Sequence, residues 1–196
     1  MNFLAHFHLA WPDDGLIAGG LEGDYCKGQL KGELDPGVER GVKLHRAIDA
    51  HTDNHPVIVK LREAFPTSLR RYAGILIDIS FDHYLTRHWT HYSAISLADF
   101  NLDVYRALRS RQEHLSEGSR AMLSYMLEYD ILNNYHNWSA VTATATRVGS
   151  RFSRGNPLLE VERELEPIRT NLEQAFLEFY PQLVSFSKDQ HAIELN

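Results

Sequence analysis

Pro66-Thr-Ser-Leu69-Arg-Arg-Tyr-Ala-Gly-Ile75-Leu-Ile-Asp78-Ile79-Ser-Phe-Asp82-His83-Tyr-Leu85-Thr-Arg87-His-Trp89 is the longest apolar-periodic stretch in the chain. Leu69, Ile75, Ile79, Leu85 and Trp89 recur at helical rather than strand spacing, which predicts a long helix opened by Pro66. Asp78 and Asp82 are four residues apart within that stripe. Two carboxylates therefore point toward the core, where an unpaired charge costs several kcal/mol and a like-charged neighbour adds to the cost. Either a cation lies between them or one of them is protonated, and a metal ion is the simplest explanation. An Asp–Arg network drawing on Arg46, Arg70, Arg71 or Arg87 is the competing explanation.

Outward from this segment the same pattern recurs. Asp35-Pro36 supplies a cap and a first-turn proline for a helix to near Asp53. Steps of 100° place Val38, Gly41, Leu44 and Ile48 on its inner side, with His45 inside the stripe and Asp49 beside it. An imidazole and a carboxylate four residues apart face one point. The plainer alternative is a buried His satisfied by its own i+4 Asp. His83 adjoins Asp82, Asp24 follows the glycines Gly19, Gly20 and Gly23, and His6 lies in the apolar segment Phe3-Leu-Ala-His6. Asp and His without thiolates suit Mn²⁺, Fe²⁺, Mg²⁺ or Zn²⁺ rather than a structural cysteine-zinc centre.

The remaining punctuation is helical too. Asp13 or Asp14 caps a helix to about Lys27; His55-Pro56 breaks the chain before a short helix around Ile58 to Phe65; Ser96-Leu-Ala-Asp99 resembles a capping box opening a helix toward His114. Further helices are predicted over about 117–135, 138–153 and 157–190, the last kinked at Pro167 and Pro181. No Gly-bounded alternating strand, internal repeat, Walker loop, dinucleotide fingerprint or nucleophile elbow is present. The fold class is mainly α, one helical bundle over residues 1–196.

Composition bounds the function. Hydrophobic residues at 43% and charged residues at 23% of 196 are globular values, which exclude a disordered or low-complexity scaffold. No apolar run approaches the roughly 20 residues that span a bilayer, and the opening Met1-Asn-Phe lacks the basic region of a secretory signal. The net charge of −6 is spread evenly and leaves no cationic arm for nucleic acid. Cys26 is the only cysteine, read as a packed small hydrophobe, so no disulfide can form within the chain, and a reducing cytoplasm is expected. Eight of the 11 histidines fall within the first 91 residues, which places the chemistry in the N-terminal half.

Taken together, Asn2-Phe-Leu-Ala-His6-Phe-His8-Leu-Ala10, Gly23-Asp24-Tyr-Cys-Lys27-Gly28, Gly41-Val-Lys-Leu-His45-Arg46-Ala-Ile-Asp49, Thr52-Asp53 with Pro56, and Asp78-Ile-Ser-Phe-Asp82-His83-Tyr-Leu resemble the acyl carrier protein phosphodiesterases, also called acyl carrier protein hydrolases. The motifs span about residues 2–90, with Gly20 standing where Asn and His51 where an aromatic or aliphatic residue is expected. The resemblance implies a fold distantly like the HD-domain phosphohydrolases. It implies a manganese-associated hydrolase that removes 4′-phosphopantetheine from holo-acyl carrier protein in bacterial fatty-acid metabolism.

Residues and resemblance together give a set of expected roles. Some of Asp24, His45, Asp49, Asp82 and His83 hold the metal, which would lower the pKa of a bound water. Asp78 or His6 serves as general acid or base, and Arg46 contacts phosphate oxygens in bidentate fashion. Lys27, Arg70, Arg71 and Arg87 form a basic rim for an acidic carrier protein, while Arg147, Arg151 and Arg154 have no assigned place. An HD-type nucleotide phosphohydrolase and a helical metal carrier without activity are the alternatives.

Overall fold

The computed structural model describes residues 1–194, with side chains to His191. Among the described residues there are eleven α-helices and no strand, so the mainly-α expectation is met. Among the described residues no helix is long and apolar enough to cross a membrane.

The first helix, α1 (Phe3–Ala10), lacks a side-chain cap of its own from Asn2. The second, α2 (Asp14–Glu22), is capped by Asp13, which accepts the N–H groups of Gly15 and Leu16. It ends at Gly23, well short of Lys27. Asp35 caps α3 (Pro36–Asn54) through the N–H groups of Gly37 and Val38, with Pro36 in the first turn. Helices α2 and α3 lie against each other because Gly19 and Gly41 meet without side chains. A Cβ on Gly41 would stand 2.6 Å from the Leu16 carbonyl oxygen and 2.7 Å from the Gly19 Cα. The helix penalty of these glycines, about 1 kcal/mol each, is offset by that close approach.

His55 ends α3 and caps α4 (Pro56–Ala64). The long segment after Pro66 is not one helix. Pro66 begins a turn to Leu69 and Arg70, a 3₁₀ turn follows over Arg70–Tyr72, and α5 starts only at Ala73, running to Arg87. Ser96 accepts the Asp99 N–H and donates its hydroxyl to the Asp99 carboxylate, so the expected Ser96–Asp99 pair opens α6 (Leu97–Ser110), with the carboxylate on the hydroxyl. The helix expected over 117–135 is divided into α7 (Glu117–Glu128) and α8 (Ile131–Asn134) by Asp130, whose φ of 47° is left-handed. Helix α9 (Trp138–Gly149) stops before 153. Pro167 lies in a 3₁₀ turn separating α10 (Val161–Leu165) from α11 (Arg169–Glu194), while Pro181 is accommodated inside α11.

One hydrophobic core gathers these elements, including Phe7, Phe81, Tyr84, Phe100, Phe176, Phe179 and Tyr180, all fully buried. Helix α1 is held on two sides. The Tyr180 hydroxyl bonds His8 Nδ1 at 2.8 Å and the Ser187 hydroxyl donates to the Leu9 carbonyl, both from α11. From α5, the Asp82 carboxylate accepts the N–H groups of Leu4 and Ala5.

Candidate functional site

Helices α1 and α3 bring His6, His45 and Asp49 to one point, with one donor atom from each within 4.8 Å of the others. The two imidazoles stack with centroids 4.0 Å apart and planes inclined by 14°. They flank the carboxylate: His6 Nε2 lies 3.2 Å from Asp49 Oδ1, and His45 Nε2 lies 3.1 Å from Asp49 Oδ2. His45 Nδ1 is 3.0 Å from the Gly20 carbonyl, which can only accept, so Nδ1 carries a proton and Nε2 is the nitrogen turned toward the site. His6 is buried and neither ring nitrogen has a well-aligned hydrogen-bond partner. Burial, reinforced by His45, lowers its pKa to about 3, so His6 is a neutral donor at physiological pH. Burial alone would raise Asp49, but the close approach of His45 and His6 and of the terminal ammonium holds its carboxyl well below the usual range.

The surroundings are acidic. Asp24, just beyond α2, is 3.8 Å from His45 Nε2. The Met1 ammonium lies 3.1 Å from both Asp49 Oδ1 and Asp78 Oδ1. Burial opposes charge on that amine, yet Asp78 and Asp49 outweigh it and raise its pKa to about 11. A cation is therefore already favoured between these two carboxylates. Burial also raises Asp78. A cleft of about 400 Å³ opens here, lined by Asp24, Asp78, Tyr25, Tyr135, apolar side chains of α1 and α5, and Arg147 and Arg151 of the α9 segment.

Of the residues singled out from sequence, His6, Asp24, His45, Asp49 and Asp78 converge, with His6 standing as a donor beside His45. Asp82 and His83 do not join them. Asp82 is spent on the α1 N-terminus, accepting from Leu4 and Ala5 at 2.8 and 3.0 Å, and burial raises its pKa to about 7. His83 is buried on another side of α5, where Nδ1 bonds the Tyr135 carbonyl at 2.9 Å and the ring meets Trp138 edge-on. Arg46 donates to the Cys26 carbonyl at 2.8 Å and braces the loop after α2.

The expected basic rim is also redistributed. Arg70 bonds the Phe65 and Glu63 carbonyls and Arg87 pairs with Glu173. Neither they nor exposed Arg71 lines the cleft. Lys27 is exposed and its charge acts on Asp24, so it stays at the margin of the site. The basic side chains in the cleft wall are instead Arg147 and Arg151. Sequence proximity to the histidines could not reveal them, because α9 reaches α5 only through the tertiary fold.

This arrangement can be set beside known proteins. The family model for acyl carrier protein phosphodiesterase matches residues 1–183. The chain belongs to the acyl carrier protein phosphodiesterase family. It is 32% identical over 190 residues to the acyl carrier protein phosphodiesterase of Salmonella dublin, covering 94% of this chain and 96% of that one. Those of Escherichia coli O6:H1 and Shigella boydii serotype 18 are 31% identical over 189 and 190 residues, with the same coverage. No solved structure gives a significant match. The match to the phosphodiesterase family thus extends well past the motifs of the first 90 residues and takes in α9 and the turn after it, with Arg147 and Arg151.

Proposed function

We propose that this protein is a metal-dependent phosphodiesterase that releases 4′-phosphopantetheine from holo-acyl carrier protein, leaving the apo form. Family membership supports the substrate. The observation that carries the chemistry is the paired presentation of His6 and His45 to the two oxygens of Asp49, next to Met1, Asp24 and Asp78, which line a cleft.

The donor set fits a divalent cation. His6 has a buried, neutral imidazole without a well-aligned hydrogen bond, His45 is oriented by Gly20, and an ammonium already sits between Asp49 and Asp78. His6, His45 and Asp49 would hold the ion, with Asp24 completing the set, and nitrogen and oxygen donors suit Mn²⁺ or a similar first-row metal. When bound, such an ion polarises a phosphoryl oxygen and lowers the pKa of water.

The chain supplies the remainder. Asp78 lines the cleft within reach of a bound phosphodiester, where it can serve in proton transfer to the departing serine oxygen of the carrier protein. The apolar side chains of α1 and α5 exclude water along one wall of the cleft, where the pantetheine arm lies. The carrier protein itself docks at the mouth, where Lys27 is exposed. A cytoplasmic location agrees with the single unpaired cysteine.

Incubation of the purified protein with holo-acyl carrier protein and Mn²⁺, read by mass spectrometry, tests the reading. Loss of the phosphopantetheine mass, abolished by chelation, is expected. Intact carrier protein together with turnover of nucleotides would favour a small-substrate phosphohydrolase instead.

A further inference from the structure

The cleft is acidic on one side, where Asp24 and Asp78 line it and Asp49 shares the Met1 ammonium with Asp78. A phosphodiester is itself an anion, so it enters such a cleft only if cations meet it there. Arg147 and Arg151 are the arginines that line the cleft. They are one helical turn apart, the second held in the turn after α9 by the Arg151 N–H bond to the Val148 carbonyl. The Arg147 guanidinium lies over the Tyr125 ring, 5.7 Å from its centroid. Among the described residues neither guanidinium has a carboxylate within ion-pair distance, whereas Arg62, Arg87 and Arg111 are paired with Asp53, Glu173 and Asp35. Arg46, the arginine next to His45, is occupied by the Cys26 carbonyl.

We propose that Arg147 and Arg151 are the phosphate-holding residues of the cleft, gripping the non-bridging oxygens of the phosphopantetheine phosphate opposite the His6–His45–Asp49 group. The assignment rests on the proposed function. A guanidinium matches two phosphate oxygens at once, and the Tyr125 ring gives that of Arg147 a surface to rest on. The apolar floor made by Phe3, Ile75 and Ile79 then carries the uncharged part of the arm.

Two ligands isolate the phosphate: free 4′-phosphopantetheine, and pantetheine, which lacks it. Their binding to the Mn²⁺-loaded protein is measured by calorimetry, for wild type and for the Arg147→Gln/Arg151→Gln double variant. Metal content and melting temperature of both proteins are checked alongside. The variant is expected to bind phosphopantetheine about tenfold more weakly while its affinity for pantetheine changes less than about twofold. Its KM for holo-carrier protein rises, and the Arg147→Lys/Arg151→Lys variant recovers part of the loss.

Unchanged discrimination between the two ligands would overturn the assignment. So would a rise in KM for holo-carrier protein with that discrimination intact, because the arginines would then be docking the carrier protein. If wild type fails to release the arm from holo-carrier protein, the functional reading falls on its own, while the calorimetry still reports on the arginines.

Discussion

Asp82 on α5 accepts the backbone N–H of Leu4 at 2.8 Å and that of Ala5 at 3.0 Å, so a carboxylate distant in sequence caps the helix that carries His6. Exposed N–H groups and the positive end of the helix dipole make a helix N-terminus a natural acceptor of negative charge. A buried carboxylate and an uncapped helix thereby satisfy each other, and α5 sets the direction of α1. Asp82→Ala should cost about 2–4 kcal/mol of stability, because two buried donors lose their acceptor. Chemical denaturation of the metal-free protein measures it, and a loss below about 0.5 kcal/mol, typical of a surface change, would remove Asp82 from this role.

The same carboxyl gives a pH signature. Burial raises its folded-state pKa from 3.8 to about 7, against the lowering effect of the Leu4 and Ala5 N–H groups. A group raised on folding contributes stability that is fully present below its unfolded pKa and lost as pH rises through the folded one. With chelator present, wild type should therefore gain stability relative to Asp82→Asn as pH falls from about 7 to about 4. Parallel stability curves for the two proteins across that window would refute the shift.

Metal binding should separate the converging residues from those that the fold directs elsewhere. His6→Ala and His45→Ala are expected to lose stoichiometric Mn²⁺ binding, whereas His83→Ala keeps it, since His83 stands apart from the His6–His45–Asp49 group, against Trp138 and the Tyr135 carbonyl. Chelation should lower the melting temperature of wild type, because an ion that binds only the folded state stabilises it by about 2.7 kcal/mol at 100 times its Kd. Retention of metal by His6→Ala with loss in His83→Ala would reverse the assignment.

Much of this was legible in the sequence because it is local. The caps at Asp13, Asp35 and Ser96 act within three residues, and the His45/Asp49 spacing fixes both on one face of a helix. The inward position of Asp82 was legible as well, but its partner was not. A buried carboxylate demands positive charge or N–H donors, and periodicity cannot tell an ion from the end of another helix. His83 follows Asp82 by one residue, a step of about 100° that turns it toward Tyr135 and Trp138. Arg70 and Arg87 share helical segments with site residues but find nearer partners. The break at Asp130 depends on one left-handed residue, which composition does not announce.

A single methyl group offers the sharpest test of how the site is held. Gly23 has φ −55° and ψ −34°, ordinary helical values, so its backbone accepts alanine without strain. Space is the obstacle: a Cβ there would stand 2.6 Å from His45 Cδ2 and 2.8 Å from Nδ1. The imidazole would have to swing away, breaking its Nδ1 bond to the Gly20 carbonyl and turning Nε2 off Asp49. Losing such an orienting partner typically costs roughly 10–100-fold in metal affinity. Gly23→Ala should therefore weaken Mn²⁺ binding by that factor while the fold, followed by circular dichroism, is retained. Gly28→Ala is the control. Gly28 has φ +79° and nothing within 4 Å of an added Cβ, so alanine there strains the backbone by about 1–2 kcal/mol and leaves the metal site untouched. Equal Mn²⁺ affinity in wild type and Gly23→Ala would mean that the His45 ring is not locked by its contact with the α2 terminus, and that its orientation comes from Asp49 alone.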